Sequence, residues 1–319
     1  MSPIVKLLAQ RIALGLLLLF LVSILIFAGT IVLPGDVAQS ILGQSATPEA
    51  LANLRAELGL DEPPVARYFN WLFGVFQGDL GTALTSGQDI ATAIGKRLGN
   101  TLFLAFWAAI IAVPLAIFLG LLAVRYLERW PDKLISAVTL ASISVPEFLI
   151  GYILMFFIGV KLGWFPPTAI SYRPDADLLT KLSAVALPIA VLTLVVLAHM
   201  MRMTRAAILN VMQSAYIETA ELKGLRMFTI IWKHAFPNSV APVVNVVMLN
   251  LAYLVVGVVV VEVVFVYPGM GGYLVDHVSK RDIPVVQACG LIFAAVYIGL
   301  NLIADVVSIL ANPRLRHPK

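Results

Sequence analysis

Six stretches of this sequence run for about 20 residues or more on Leu, Val, Ile, Ala and Phe, with few charges to interrupt them. They cover residues 11–33, 100–124, 134–161, 182–203, 240–267 and 285–310. Segments of that length and character have lipid as their natural solvent. Hydrocarbon offers no partner to a backbone N–H or C=O, so only helices or a closed barrel can span it. The runs lack the in-out alternation of barrel strands. The expected fold is therefore an all-α polytopic membrane protein with six transmembrane helices. Composition agrees: 60% of residues are hydrophobic and 13% charged, against about 25% charged in a soluble domain, and the mean hydropathy is +0.94.

The sequence divides at 1–33 (tail and first helix), 34–99 (an extracytoplasmic loop with short helices), 100–310 (a five-helix core) and 311–319 (a tail). The first run is too long for a signal-peptide core and lacks a clear small-residue cleavage site, so an uncleaved helix is expected. Within 34–99, "TPEALANLRAELGLDEPP" has Thr47 to cap a helix, Pro48 at its first position, and a Gly59/Pro63 stop. The aromatic stretch "YFNWLFGVFQGDLG" suits a membrane interface. Pro114, Pro146 and Pro188 fall inside the predicted spans and mark kinks. "LVVGVVVVEVVFV" is β-branched, but its continuity with residues 240–253 makes it a helix.

Charge sets the expected orientation. Six spans place both termini on one side. That side receives Lys6, Arg11, Arg125, Arg129, Lys133, Arg202, Arg205, Lys223, Arg226, Lys233, Arg314, Arg316 and Lys319. The short loops opposite receive Lys161, Arg173, Lys181, Lys280 and Arg281. The excess predicts cytoplasmic termini. It also explains the pI near 9.2 without nucleic acid, because the basic residues are scattered among loops and not gathered in one stripe. The lone Cys289 sits in an apolar run and reads as a small buried hydrophobe.

One segment breaks the apolar pattern. "AYIETAELKGLRMFTIIWKHAFPNS", residues 215–239, crowds Glu218, Glu221, Lys223, Arg226, Lys233, His234 and Asn238 between two spans. Its first half is built from good helix formers, and Gly224 is placed to end a helix. Composition alone is equally served by a solvated connecting loop. The order of residues adds more. Glu218-Thr219-Ala220, three residues, Gly224 and then Pro237 resembles the cytoplasmic signature of ABC importer permeases. That signature is Glu-Ala-Ala, three residues, Gly, nine residues, a hydrophobic position, a variable one, Leu and Pro. Here Thr219 replaces the first Ala, His234 the hydrophobic residue and Phe236 the Leu. "KHAFPNSVAPVV" is nearer the variant of the dipeptide/oligopeptide/nickel subfamily. "LPGDVA" at 33–38, "ELGLDEPP…YFNWLFGVFQGDLGTAL", "VVFVYPGMGGYLVDHVSKRDIPVVQ" at 263–287 and "NPRLR" at 312–316 resemble other blocks of that subfamily, in order along almost the whole chain.

The resemblance implies an ABC type I importer permease fold and a transport subunit, not an enzyme. It implies that residues 204–239 form a coupling segment seated on a cytoplasmic ATPase, with Glu218, Thr219, Ala220, Gly224 and Pro237 at the matched positions. It implies a second homologous permease, two ATP-binding subunits that hold ATP and Mg, an extracytoplasmic solute-binding protein, and a bacterial cytoplasmic membrane location. Peptides, nickel, glutathione or another small solute would all use such a scaffold.

No catalytic, cofactor or metal motif competes with this reading. The nearest imitation of a phosphate loop, Gly87 to Lys96, has the wrong spacing and no Ser or Thr after Lys96. His199, His234, His277 and His317 are far apart in sequence. Polar groups within spans are costly and become pathway or gating candidates: Glu147, Glu262, Asn250 and Asp305. Asn245, Asn250 and Asn301 also suit hydrogen bonds between helices. Those carboxylates leave one alternative open, a secondary transporter driven by protons or sodium.

Overall fold

A computed structural model describes residues 3–32, 37–57, 59 and 61–311. The segments "LPGD" at 33–36 and "NPRLR" at 312–316 lie outside the described residues, as does nearly all of the predicted tail.

The helices run in order as α1 (Pro3–Val32), α2 (Val37–Leu42), α3 (Pro48–Glu57), α4 (Pro64–Phe76), α5 (Ile90–Arg125), α6 (Trp130–Ser144), α7 (Glu147–Leu154), α8 (Leu178–Ala184), α9 (Ala186–Met212), α10 (Ala215–Leu222), α11 (Met227–Thr229), α12 (Phe236–Phe265), α13 (Met270–Ser279) and α14 (Ile283–Ala311). Wide π turns continue α7 through Met155–Lys161 and join α11 to α12 through Ile230–Ala235. The extended pairing found among the described residues is one isolated bridge, Thr82 with Asp89.

Among the described residues five helices are long and apolar enough to cross a membrane; α6 and α7 make a sixth crossing if the bent pair is taken as one. That pair corrects an expectation. The predicted span 134–161 is no kinked rod: α6 and α7 meet at 103°. Pro146 pushes the preceding residue out of the helical region, and Val145 is extended at φ −95°, ψ 129°. The break orphans the last carbonyls of α6. Ser142 Oγ donates to Val138 O and Ser144 Oγ to Leu140 O, both at 2.9 Å, back-bonding to i−4 carbonyls of the kind that bends helices. Pro188 does no such damage because it lies in the first turn of α9, where N–H groups lack helical partners anyway.

Two other boundaries move. Helix α5 starts at Ile90, not near 100, because Asp89 Oδ1 accepts the Thr92 amide at 2.8 Å and caps it. Helix α9 runs on to Met212, past the predicted 203. The cap of α3 matches its reading, with Thr47 Oγ1 accepting the Ala50 amide at 3.2 Å.

The centre of the bundle is α5 against α9, with α12 packed on α9 and α14 on α12. Ala108, Ala112, Ala116 and Gly120 recur every fourth residue along α5, and all are buried. Small side chains let two helices approach closely where lipid supplies no hydrophobic drive between them. Packing is close enough that a Cβ on Gly120 would stand 3.0 Å from Thr204 Cγ2. Helix α1 lies outside, against α14. Only 11% of its most apolar stretch is buried within the chain, against 61% for α9, so α1 is mostly exposed on the outside of the bundle.

The two ends of the bundle have separate small cores. At one end Ile90, Ile94, Met270, Tyr273, Val285 and Cys289 pack together. At the other, the ends of α5 and α9 meet α10 and the turn before α12. Arg11 Nη1 reaches Asp305 Oδ2 at 3.0 Å and ties the start of α1 to the end of α14.

Candidate coupling site and buried polar clusters

The unusual segment folds as a short helix on the bundle. Ser214 leaves helical geometry at φ −83°, ψ 147°, and α10 begins. It ends in a Schellman motif: Gly224 N donates to Glu221 O at 2.8 Å and Leu225 N to Ala220 O at 3.2 Å. This closure needs a left-handed residue, and Gly224 supplies it at φ +77°. A Cβ at Gly224 would meet nothing within 4 Å. Backbone conformation, not close approach, is thus what asks for glycine there.

Helix α10 has two faces. Ile217 and Ala220 are buried in one apolar cluster with Leu121 and Val124 of α5, Ile208 of α9, and Ile230, Ile231 and Ala235. Tyr216, Glu218, Thr219, Glu221 and Leu222 are exposed, Leu222 to 82%. Thr219 spends its hydroxyl on Ala215 O at 2.9 Å, so it presents a methyl, much as alanine would. Pro237 follows the wide turn Ile230–Ala235 and occupies the first turn of α12. Having no N–H, it cannot bond back to the carbonyl of Lys233, and a widened turn accommodates that loss. Of the matched positions, Glu218 and Thr219 face outward. Ala220 faces its own bundle, and Gly224 and Pro237 shape the chain.

The four pathway candidates do not share a cluster. Glu262 is fully buried at the last turn of α12. Its Oε1 accepts the Thr101 hydroxyl at 2.6 Å, and its Oε2 accepts the Gly272 amide at 3.0 Å. Thr101 Oγ1 accepts in turn from Met270 N at 2.9 Å. The carboxylate therefore caps the start of α13 and ties it to α5. The turn "PGMGG" is shaped around it: a Cβ on Gly269 would collide with the carboxylate, and one on Gly271 would stand 2.7 Å from Val259 Cα. Asn100 completes the corner, its Nδ2 donating to Pro268 O at 2.8 Å and its carbonyl accepting Tyr267 Oη at 2.9 Å.

Asp305 pairs with Arg11. Asn250 Nδ2 donates to Val246 O on its own helix at 2.8 Å. Glu147, half-buried at the first turn of α7, stands directly after the Pro146 break. Among the described residues no group of three or more His, Cys, Asp or Glu side chains is arranged to hold a metal.

Two polar clusters were missed in the sequence. Asp132, buried at the start of α6, receives Arg205 Nε and Nη2 at 2.9 Å each, and the Glu128 amide at 3.0 Å. Asp282, also buried, accepts the amides of Leu84 and Thr85 at 3.1 and 2.9 Å and the Thr85 hydroxyl at 2.8 Å. Both partners lie far away in sequence, so no local spacing marks them. The only signals were a charge beside a span for Asp132 and the "RDIP" block for Asp282.

The fold and its short exposed helix define a class, the multi-pass permease of a transport system. The sequence matches the "Binding-protein-dependent transport system inner membrane component" family over residues 112–317, and the N-terminal part of such membrane components over residues 4–105. The chain belongs to this family and is the integral-membrane permease subunit of an ABC importer. It is 35% identical over 312 residues to a Brucella abortus protein named for a peptide transport system permease, covering 98% of this chain and 99% of that one. It is 36% identical over 299 residues to the glutathione transport system permease protein GsiC of Escherichia coli K12, covering 94% of this chain and 95% of that one. Its fold is similar to a chain of the MetNI methionine ABC transporter, with TM-score 0.50 and 16% identity over 70% of this chain and 96% of that one. Nothing in these likenesses supports the ion-coupled alternative.

Proposed function

We propose that this chain lines the translocation pathway for peptides or peptide-sized solutes and that α10 is its coupling helix. The observation that carries the reading is the two-faced character of α10. Ile217 and Ala220 root the helix in the ends of α5 and α9, while Tyr216, Glu218, Thr219 and Leu222 stand outward for a partner. A short helix fixed in this way moves with the spans it is packed on. Binding of ATP to two partner ATPases, which hold the nucleotide and Mg, would shift α10 and reorient the spans by alternating access. The complete assembly adds a second homologous permease and an extracytoplasmic solute-binding protein. The α10 end faces the cytoplasm, with both termini, in keeping with the excess of Lys and Arg on that side. The names of the peptide and glutathione relatives support the solute class.

The test is uptake of a labelled peptide into vesicles holding the full assembly. Transport should require ATP inside and the binding protein outside. Uptake that persists without ATP and follows an imposed proton gradient would overturn the reading. Leu222→Asp should leave the permease in the membrane but release the ATPase subunits.

A further inference from the structure

The structure holds a basic cavity to which α10 itself contributes no lining residue. It has a volume of about 560 Å³ and lies between the α5–α6 turn, the end of α9 and the strand of chain that leaves Gly224. Arg125, Arg129 and Arg226 line it, with Tyr126, Met212 and Phe228 among the apolar groups. Among the described residues no carboxylate lines this cavity. The ion pairs found among the described residues, Arg11–Asp305, Arg205–Asp132 and those of Asp276, involve none of the three arginines. Asp132, the nearest buried acid in the turn, is already committed to Arg205. Arg125 instead lies over aromatic rings, its Cζ 5.3 Å from the centre of Tyr126 and 5.2 Å from that of Phe228.

A second cleft opens from the same place. It is narrower, about 110 Å³, and almost wholly apolar, and it shares Arg125 and Phe228 with the first. Phe118 and Leu122 of α5 form one wall, and Ile231 and Trp232 of the turn before α12 form the other. Phe118, Phe228 and Trp232 are all exposed. Arg125 thus stands where the oily slot meets the basic cavity, and Arg129 and Arg226 line the basic cavity beyond it.

We propose that this pair of cavities binds an anionic glycerophospholipid, with the phosphodiester among Arg125, Arg129 and Arg226 and the upper acyl chain in the slot. Guanidinium groups match phosphate oxygens in charge and geometry, and basic pockets between spans select anionic headgroups. A soluble phosphate would use the basic half alone. An acidic patch on a partner protein would leave the slot between α5 and Trp232 empty. The inference does not depend on which compartment faces α10, nor on α10 touching an ATPase.

The test uses the full transporter assembly, reconstituted in phosphatidylcholine nanodiscs with a minor fraction of phosphatidylglycerol, then extracted and examined by native mass spectrometry. The wild type should retain phosphatidylglycerol over phosphatidylcholine. Arg125→Gln/Arg129→Gln/Arg226→Gln should lose that preference, by roughly fivefold per arginine. The corresponding triple Lys variant should keep most of it, which separates charge from folding. Phe228→Ala should weaken retention of the chain-bearing lipid, and inorganic phosphate should not displace it. Equal retention in the Gln variant overturns the proposal. Displacement by inorganic phosphate would make the site one for free anions, and loss of the ATPase subunits with lipid retention unchanged would make it a protein interface; either also overturns it.

Discussion

Arg205 and Asp132 meet side-on across 73 residues of sequence, with Nε on Oδ1 and Nη2 on Oδ2, each at 2.9 Å. The pair locks the start of α6 to α9 a few residues before α9 gives way to α10. It also holds the α5–α6 turn, where Glu128 stands at φ +63° and gives its amide to the same carboxylate. Asp132→Ala would leave a partly buried guanidinium unpaired, a change that costs about 3–5 kcal/mol at buried pairs. Arg205 keeps some access to solvent, so the expected loss lies at the lower end. Thermal unfolding of the purified protein in detergent should show a clear fall in Tm. Arg205→Lys should show a smaller fall, because a lysine keeps the charge but cannot reproduce the two-pronged contact.

Glu262 separates a cap from a pathway group. In Glu262→Gln the amide can keep only one of the two acceptor roles, and its NH2 must face either the Thr101 hydroxyl or the Gly272 amide. We expect a loss of about 1–3 kcal/mol, the cost of a buried unsatisfied group, read as reduced folded yield and a lower Tm. The transport rate per folded molecule should remain near the wild-type value. A normal yield with abolished turnover would place Glu262 in the transport step instead.

Gly224 should tolerate substitution in the order of left-handed preference. Gly224→Asn is expected to be mild, Gly224→Ala to cost about 1 kcal/mol, and Gly224→Val to be worst. The space around the position is open, so the order reflects backbone conformation and not size. The readout is solute-stimulated ATPase activity of the reconstituted assembly. If Gly224→Val couples as well as wild type, the Schellman closure is not needed for coupling.

Asp282 predicts a local change at the opposite end of the bundle. Asp282→Ala removes the acceptor for the Leu84 and Thr85 amides, so hydrogen exchange across residues 82–89 should accelerate. Exchange in α10 should stay unchanged, because the two end cores are separate.

What the sequence disclosed follows from the range over which its signals act. Run lengths gave the spans, and local cap chemistry gave α3 at Thr47 and the end of α10 at Gly224. Pro146 by itself signals only a kink; the 103° turn also depends on where the two halves pack, α6 on α9 and α7 on α9 and α12, which no local spacing encodes. The order Glu218, Ala220, Gly224 singles out this segment but does not say which side chains face outward. Ala220 turned inward because Ile217, one position of spacing away on the same stripe, is held by α5 and α9. The pairings Arg205–Asp132 and Asp282–Thr85 are products of tertiary folding, and nothing adjacent to either residue encodes them.

The double-sided build of α10 has an evolutionary corollary. Ile217 and Ala220 answer to neighbours in their own polypeptide, whereas the side chains of Glu218 and Leu222 are exposed. If the outer flank is where the proposed motor subunit docks, substitutions there can follow a changing motor without unsettling the bundle, and the permease can exchange engines while its inner scaffold stays untouched.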